Sequence, residues 1–367
     1  MNTTTMRRLT AAAALAATAA AITGVGGATA HGDEPDDYEV LVVGKTTGFR
    51  HSSIDEATET LIALGEEHGF DVDVWDDKQP ELTLESTPFT SADDLAKYAT
   101  IVFVSTVDGT NRGNPAGRPL LLDDAERAAY QGYIEAGGGF VGLHAATDSM
   151  HTSEWYGGLI GGNAYFRSHP AQQEATMSIE NPNHPSMTHL EDPWTLLDEW
   201  YNYTNNPREV VHVLMTLDET SYSPGFGAMG EDHPITWCHN YDGGRSWQTG
   251  LGHREDVVAN PLWQEMVLGG IEWTAGLVSG GGDCVTYHEV DTLFDEALAA
   301  LVPARAEQAE RKVAPMLEAS EAAAEAGDHD AAVAELRNAA VLATSMIADD
   351  LLAEKIGDLI EWQSGLD

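Results

Sequence analysis

The stretch Gly137 to Asp148, GGGFVGLHAATD, constrains the fold more than any other part of the chain. A short apolar run, Phe140 to Leu143, stops at one polar side chain, His144. Small residues flank it, Gly142 two positions before and Ala146 two positions after. That spacing lets a buried strand turn sharply into a helix and pushes one side chain out above a sheet, as in a nucleophile elbow. The residue at the tip is a histidine rather than Ser or Cys. A turn suited to presenting a nucleophile presents an imidazole instead.

The surrounding pattern places that turn in an α/β fold. Glu39 to Gly44 (EVLVVG) and Thr100 to Ser105 (TIVFVS) are apolar runs and read as buried strands. Phe70 to Trp75 alternates apolar and acidic residues, which suits a more exposed strand. Ser52 or Ser53 caps a helix ending near Gly69, and Asp123 or Asp124 caps another ending near Ala136. Strands alternating with helices predict a doubly wound, largely parallel sheet. Further strands are predicted at 175–179, 210–214, 235–238 and 247–251, and a closing helix at 261–275. Residues 277–288 read as a Gly-rich linker. Residues 289–367 are rich in Ala, Glu and Leu at helical spacing, with a turn at 326–330, and predict an acidic α-helical hairpin.

Residues 1–30 carry Arg7 and Arg8, an Ala-rich apolar core from Leu9 to Ile22, and a small-residue site, Ala28-Thr29-Ala30. This pattern predicts a secretory signal peptide cleaved near Ala30, hence an exported protein without membrane insertion. The 60 acidic residues outnumber 18 basic ones, for a formal charge of −42. Such a surface excludes nucleic acid and anionic membranes as natural partners. Cys238 and Cys284 are an even pair in an exported chain, which predicts a disulfide. Neither lies in a CxxC, so a zinc knuckle or redox motif is not supported.

Ligands of doubly wound sheets bind at the carboxyl ends of the strands. The candidate residues fall in those loops: His51 after the first strand, His144 and Asp148 after the fourth, and His253 after the last. His169, Glu199, Tyr201 and His239 belong to the second half. Histidine is the usual general acid or base near neutral pH and the commonest transition-metal ligand. Glu199 suits either a base or a carboxylate ligand beside two histidines, and His169 is a further candidate ligand. No pair has HExxH spacing, so a divalent metal such as zinc would be held by separate loops. Trp155, Tyr201 and Tyr203 are candidate platforms for a sugar ring. A copper-binding histidine brace at His31, a Ser-His-Asp triad using Ser105, and a phosphate-binding glycine loop all lack their required context.

The ordered series of motifs resembles the trehalose-utilisation (ThuA-like) family, which has the flavodoxin-like, class I glutamine amidotransferase-like fold. The matching segments begin with Lys45-Thr46-Thr47-Gly48-Phe49-Arg50-His51, Gly137 to Asp148, Trp155-Tyr156, Gly161-Gly162, His169-Pro170 and His184-Pro185. They continue with Asp198-Glu199-Trp200-Tyr201, His233-Pro234, Trp237-Cys238-His239, Gly244-Arg245 and Gly250-Leu251-Gly252-His253. The resemblance spans about residues 38–276.

It implies that position 144 is where related amidotransferases carry their catalytic Cys. His144 at that position implies that this chain is not a glutamine amidotransferase. It also implies work on trehalose-like disaccharides or 3-keto-glycosides, by hydrolysis or elimination. His144, Glu199, His51 and His253 are the expected catalytic groups; Trp155, Tyr201, Asp148 and His239 are the expected substrate contacts. The alternative is a non-catalytic carbohydrate-binding or assembly module. A homo-oligomer fits either reading.

Overall fold

The computed structural model describes residues 38–110, 117 and 119–366. The expected signal peptide, its cleavage site and His31 lie outside the described residues. Strand β1 (Tyr38–Val43) is followed by α1 (Ser53–His68), β2 (Phe70–Trp75), α2 (Ala92–Leu95), β3 (Tyr98–Val104), α3 (Asp124–Glu135) and β4 (Gly139–Leu143). Next come α4 (Glu154–Leu159), β5 (Phe166–Ser168), β6 (Gln173–Ile179), β7 (Trp194–Asp198) and β8 (Asn202–Tyr203). Then follow β9 (His212–Leu217), β10 (Pro234–Tyr241), β11 (Gly244–Thr249), α5 (Glu255–Val258) and α6 (Pro261–Thr274).

Nine strands form one sheet in the order β2-β1-β3-β4-β11-β10-β9-β6-β7. The first five are mutually parallel. From β10 onward the pairing is antiparallel. The period-2 alternation of each central strand feeds two cores. Val40, Val42, Val102, Val104 and Val141 pack with Ile54 and Leu61 of α1 and Trp263 and Ile271 of α6. Leu41, Val43, Ile101, Phe103 and Phe140 pack with Tyr130 and Ile134 of α3 and Tyr156 of α4. This is the doubly wound arrangement expected from the sequence, extended by an antiparallel half. Helix ends obey local chemistry: Asp123 and Glu126 form a capping box at α3, and Asn260 caps α6 with Pro261 in its first turn.

The C-terminal part forms four helices: α7 (Tyr287–Ala299), α8 (Pro303–Glu325), α9 (His329–Met346) and α10 (Asp350–Ser364). They enclose a third core around Val290, Leu317, Leu336 and Ile356. The two helical stretches expected on either side of residues 326–330 are each broken once, giving four helices in place of a hairpin. Cys238 and Cys284 are bonded. The segment before α7 is tied to the sheet, with Asn181 donating to the Gly281 carbonyl and His212 Nδ1 donating to the Val285 carbonyl. Trp362 of α10 lies over the His212 ring at 4.1 Å. Among the described residues no helix is long and apolar enough to cross a membrane.

Candidate functional site

The turn after β4 is as sharp as its small residues suggest. His144 has φ of +47°, a left-handed conformation that costs a non-glycine residue roughly 1–2 kcal/mol. A Cβ on Gly142 would fall 1.8 Å from the Gln248 Oε1, so any larger residue there would have to displace the Gln248 carboxamide. The chain continues as a single 3-10 turn, His144–Thr147, rather than the α-helix expected, and α4 starts only at Glu154. His144 is fully buried. Its Nδ1 lies 2.8 Å from the Gly250 carbonyl. A carbonyl only accepts, so Nδ1 carries the proton and the Nε2 lone pair points away from the strand.

Three other loops bring side chains to that lone pair. His51 ends the loop after β1, which Arg50 anchors by pairing with the buried Asp76 at 2.6 Å and donating to the Gly44 carbonyl. Glu199 follows β7. Its neighbour Asp198 is fully buried and accepts from the main-chain nitrogens of Gly252 and Arg254, at 2.8 and 3.2 Å. Asp198 thereby sets the turn after β11 that carries His253. One ligand atom from each of His51, His144, Glu199 and His253 lies within 4.8 Å of the others. His253 Nδ1 is 3.3 Å from His144 Nε2 and 3.2 Å from Glu199 Oε2. His144 Nε2 is 3.7 Å from the same Glu199 oxygen.

The electrostatics follow from burial and proximity. Burial and the facing imidazoles of His144 and His253 push His51 down to about 2, so it is held neutral. Burial works to raise Glu199, but the imidazoles of His144 and His253 outweigh it and hold the carboxylate ionised, well below the usual range. Burial likewise works to lower His253, and its contact with Glu199 outweighs it and raises the imidazole.

The donor set fits a divalent metal. Tetrahedral zinc with bonds of about 2.0–2.1 Å needs ligand atoms roughly 3.3–3.4 Å apart, close to the three separations above. His144 has the outer-shell bond such ligands make, with its other nitrogen donating to a main-chain carbonyl. His51 Nδ1 is buried without a hydrogen-bond partner. A second group, His184, Cys238 and Cys284, also lies close together, but its sulfurs are committed to the disulfide.

Above the cluster is a cleft of about 260 Å³, walled by Phe49, Asp148, Phe166, His169 and Tyr201 among others. His169 Nδ1 is 3.1 Å from Glu199 Oε1, the carboxylate oxygen turned away from His144, and its side chain is 41% exposed. Antiparallel pairing of β5 with β8 sets Ser168 opposite Asn202 and so brings His169 beside Tyr201. Asp148 accepts from His151 Nε2 at 2.7 Å. A larger cavity of about 560 Å³ lies by β9 and the C-terminal helices, near Arg208, Tyr287 and Trp362, and holds none of the candidate residues.

The structure therefore gathers His51, His144, Glu199 and His253, with His169, Asp148 and Tyr201 around them. It does not bring in Trp155 or His239. Trp155 Nε1 donates to Asp242 and its ring abuts Tyr130, because α4 packs it over α3. His239 is buried on β10 and its Nε2 donates to the Leu159 carbonyl. Tyr201 is buried against the His144 ring, with centroids 4.3 Å apart, so it forms a wall rather than an open platform. The exposed aromatic at the rim is Phe49, 64% exposed and edge-on to His51. Phe49 lies inside a motif legible in the sequence; Phe166, on a three-residue strand, has no such signal.

Fold and site together define an α/β protein of flavodoxin-like type, with a histidine–glutamate cluster where an elbow nucleophile would stand. The chain belongs to the ThuA family, described as trehalose utilisation, whose profile matches residues 39–274. Among solved structures it is similar to a ThuA-like protein from Bacteroides uniformis, at 22% identity and TM-score 0.51, covering 65% of this chain and 91% of that one. A ThuA-like protein from Parabacteroides merdae is similar at 19% identity and TM-score 0.48, covering 66% and 92%. No curated protein matches the sequence. The family supports a carbohydrate-related role.

Proposed function

We propose that the chain is an exported carbohydrate-active enzyme acting on trehalose-like disaccharides or their 3-keto derivatives, with His51, His144, Glu199 and His253 holding a divalent metal such as zinc. The observation that carries this reading is the convergence of four ligand atoms within 4.8 Å at the floor of a cleft with aromatic walls. When bound, the metal supplies a Lewis acid that polarises a sugar carbonyl or hydroxyl oxygen.

The protein residues supply the rest. Both nitrogens of His144 are committed, one to Gly250 and one to the cluster, so His144 serves to hold rather than to move a proton. His169 has the exposure and position for proton transfer: its ring opens on the cleft and Glu199 Oε1 steadies it. In a keto sugar it removes the proton beside the carbonyl, a C=C bond forms as the glycosidic C–O bond breaks, and the departing oxygen takes up the proton to leave as an alcohol. Phe49 and Phe166 line the cleft where the ring would rest, and their apolar faces match the C–H face of a pyranose. Asp148 accepts from ring hydroxyls.

Assay of purified protein on 3-keto-trehalose, with and without a chelator, tests the reading. Turnover that chelation abolishes and zinc restores is the expected result. Sugar binding without any turnover would instead support the non-catalytic module.

A further inference from the structure

A second hollow adjoins the cleft. It measures about 340 Å³ and is lined by Ser52, Gln172, His253, Arg254, Glu255 and Asp256. His253 belongs to both hollows. The same loops build both: one gives His51 to the aromatic cleft and Ser52 to the polar hollow, another gives His169 and Gln172. One member of the cluster, His253, therefore stands where a cleft with aromatic walls meets a hollow of polar lining.

The polar groups of the second chamber are held in place. Arg254 donates from Nε and Nη2 to the two carboxylate oxygens of Asp256, each at 2.7 Å. Its Nη1 donates to Gln172 Oε1 at 2.8 Å. Its main-chain nitrogen is fixed by Asp198, the carboxylate that also shapes the His253 turn. With its oxygen turned to Arg254, the Gln172 carboxamide is left with its NH2 to donate outward. Groups held this way lose little freedom on meeting a ligand, so their hydrogen bonds count toward selection.

We propose that this hollow is a second sugar subsite, taking the hydroxylated leaving-group ring of a disaccharide, with Gln172 and Arg254 selecting it. The inference rests on the reading given under the proposed function. Among the described residues no Phe, Tyr, Trp or large aliphatic side chain lines the chamber, so it favours a ring rich in hydroxyls over an aryl or alkyl group. The cleft alone, at about 260 Å³, falls below the usual range of roughly 300–1,000 Å³ for a ligand site, and the two hollows together fall well within it. A two-ring ligand straddling His253 uses both.

The test compares 3-keto-trehalose with methyl 3-keto-glucoside, which share the reacting ring and differ in the leaving group. In Gln172→Ala, an exposed position whose loss spares the core, the ratio of kcat/KM for the first over the second falls about tenfold, as expected for lost hydrogen bonds to hydroxyls. Arg254→Ala, which frees the Gln172 carboxamide, lowers the same ratio. An unchanged ratio in both variants, with wild-type turnover intact, overturns the subsite alone. Wild-type protein that turns over neither compound overturns the underlying reading instead.

Discussion

His144 Nε2 and His253 Nδ1 face each other at 3.3 Å, and both contact the same oxygen of Glu199. The Gly250 carbonyl holds the His144 proton on Nδ1, so a lone pair points into this triangle. A proton or a cation must occupy it. Zinc titration followed by calorimetry should show about one equivalent bound. Glu199→Gln should weaken that binding at least about tenfold. Equal affinity in the two proteins would remove the metal role.

His169 and His144 are expected to part company in kinetics. His169→Ala should lower turnover of a keto-glycoside about 10²–10⁴-fold, the range of a lost general base. Zinc affinity should stay at the wild-type value, because His169 meets Glu199 at Oε1, the oxygen turned away from His144 and His253. His144→Ala should lose both. A His169 variant that retains full turnover moves the base elsewhere.

The two aromatic candidates separate in the same way. Phe49→Ala removes an exposed rim residue and should raise KM several-fold, about what stacking contributes, with the melting temperature unchanged. Trp155→Ala should lower the melting temperature and leave KM alone, since its ring packs on Tyr130. The reverse pattern would restore Trp155 as the platform.

Acid should destabilise the fold through histidines remote from the cleft. Burial pushes His212 and His239 down to about 4, against roughly 6.5 when unfolded. Between those values the unfolded chain binds more protons, so stability is complete above about pH 6.5 and falls as the pH drops toward 4. Each group accounts for about 3 kcal/mol across that window. Calorimetric melting at pH 7 and pH 4.5 checks this, and His239→Gln, which keeps a donor for the Leu159 carbonyl, should flatten the dependence.

The Cys238–Cys284 bond closes a separation of 46 residues and ties β10 to the segment leading into α7. The chain-entropy model assigns it about 4 kcal/mol. Urea unfolding of the Cys238→Ser, Cys284→Ser double variant should show a clearly lower midpoint. An unchanged midpoint would mean that the surrounding contacts, such as Trp362 on His212, already fix this junction.

Much of the architecture follows from local rules. The apolar runs of β1, β3 and β4, the caps of α3 and α6, and the Gly142–His144–Ala146 turn are each encoded within a few residues. His51, His144, Glu199 and His253 could each be placed in a loop beside a strand end, but their meeting at one point is written in none of those segments. The antiparallel half of the sheet was less legible, since alternation marks a strand without giving its direction or neighbour. Trp155 and His239 show the same limit. Their motifs are as distinctive as those of the clustered residues, yet α4 lays Trp155 against Tyr130 and β10 buries His239, both away from the cleft.

The sequence by itself determined the doubly wound sheet, the imidazole at the elbow and the pairing of the two cysteines. These depend on periodicity, small-residue spacing and composition, which act over short range. Only the tertiary structure decided which histidines meet. The contacts of His144 with Gly250 and His253 span more than a hundred residues, and Asp198 sets the His253 turn from a different strand. Such contacts exist once strands far apart in the chain lie in one sheet, and nothing in the local pattern of either partner encodes them.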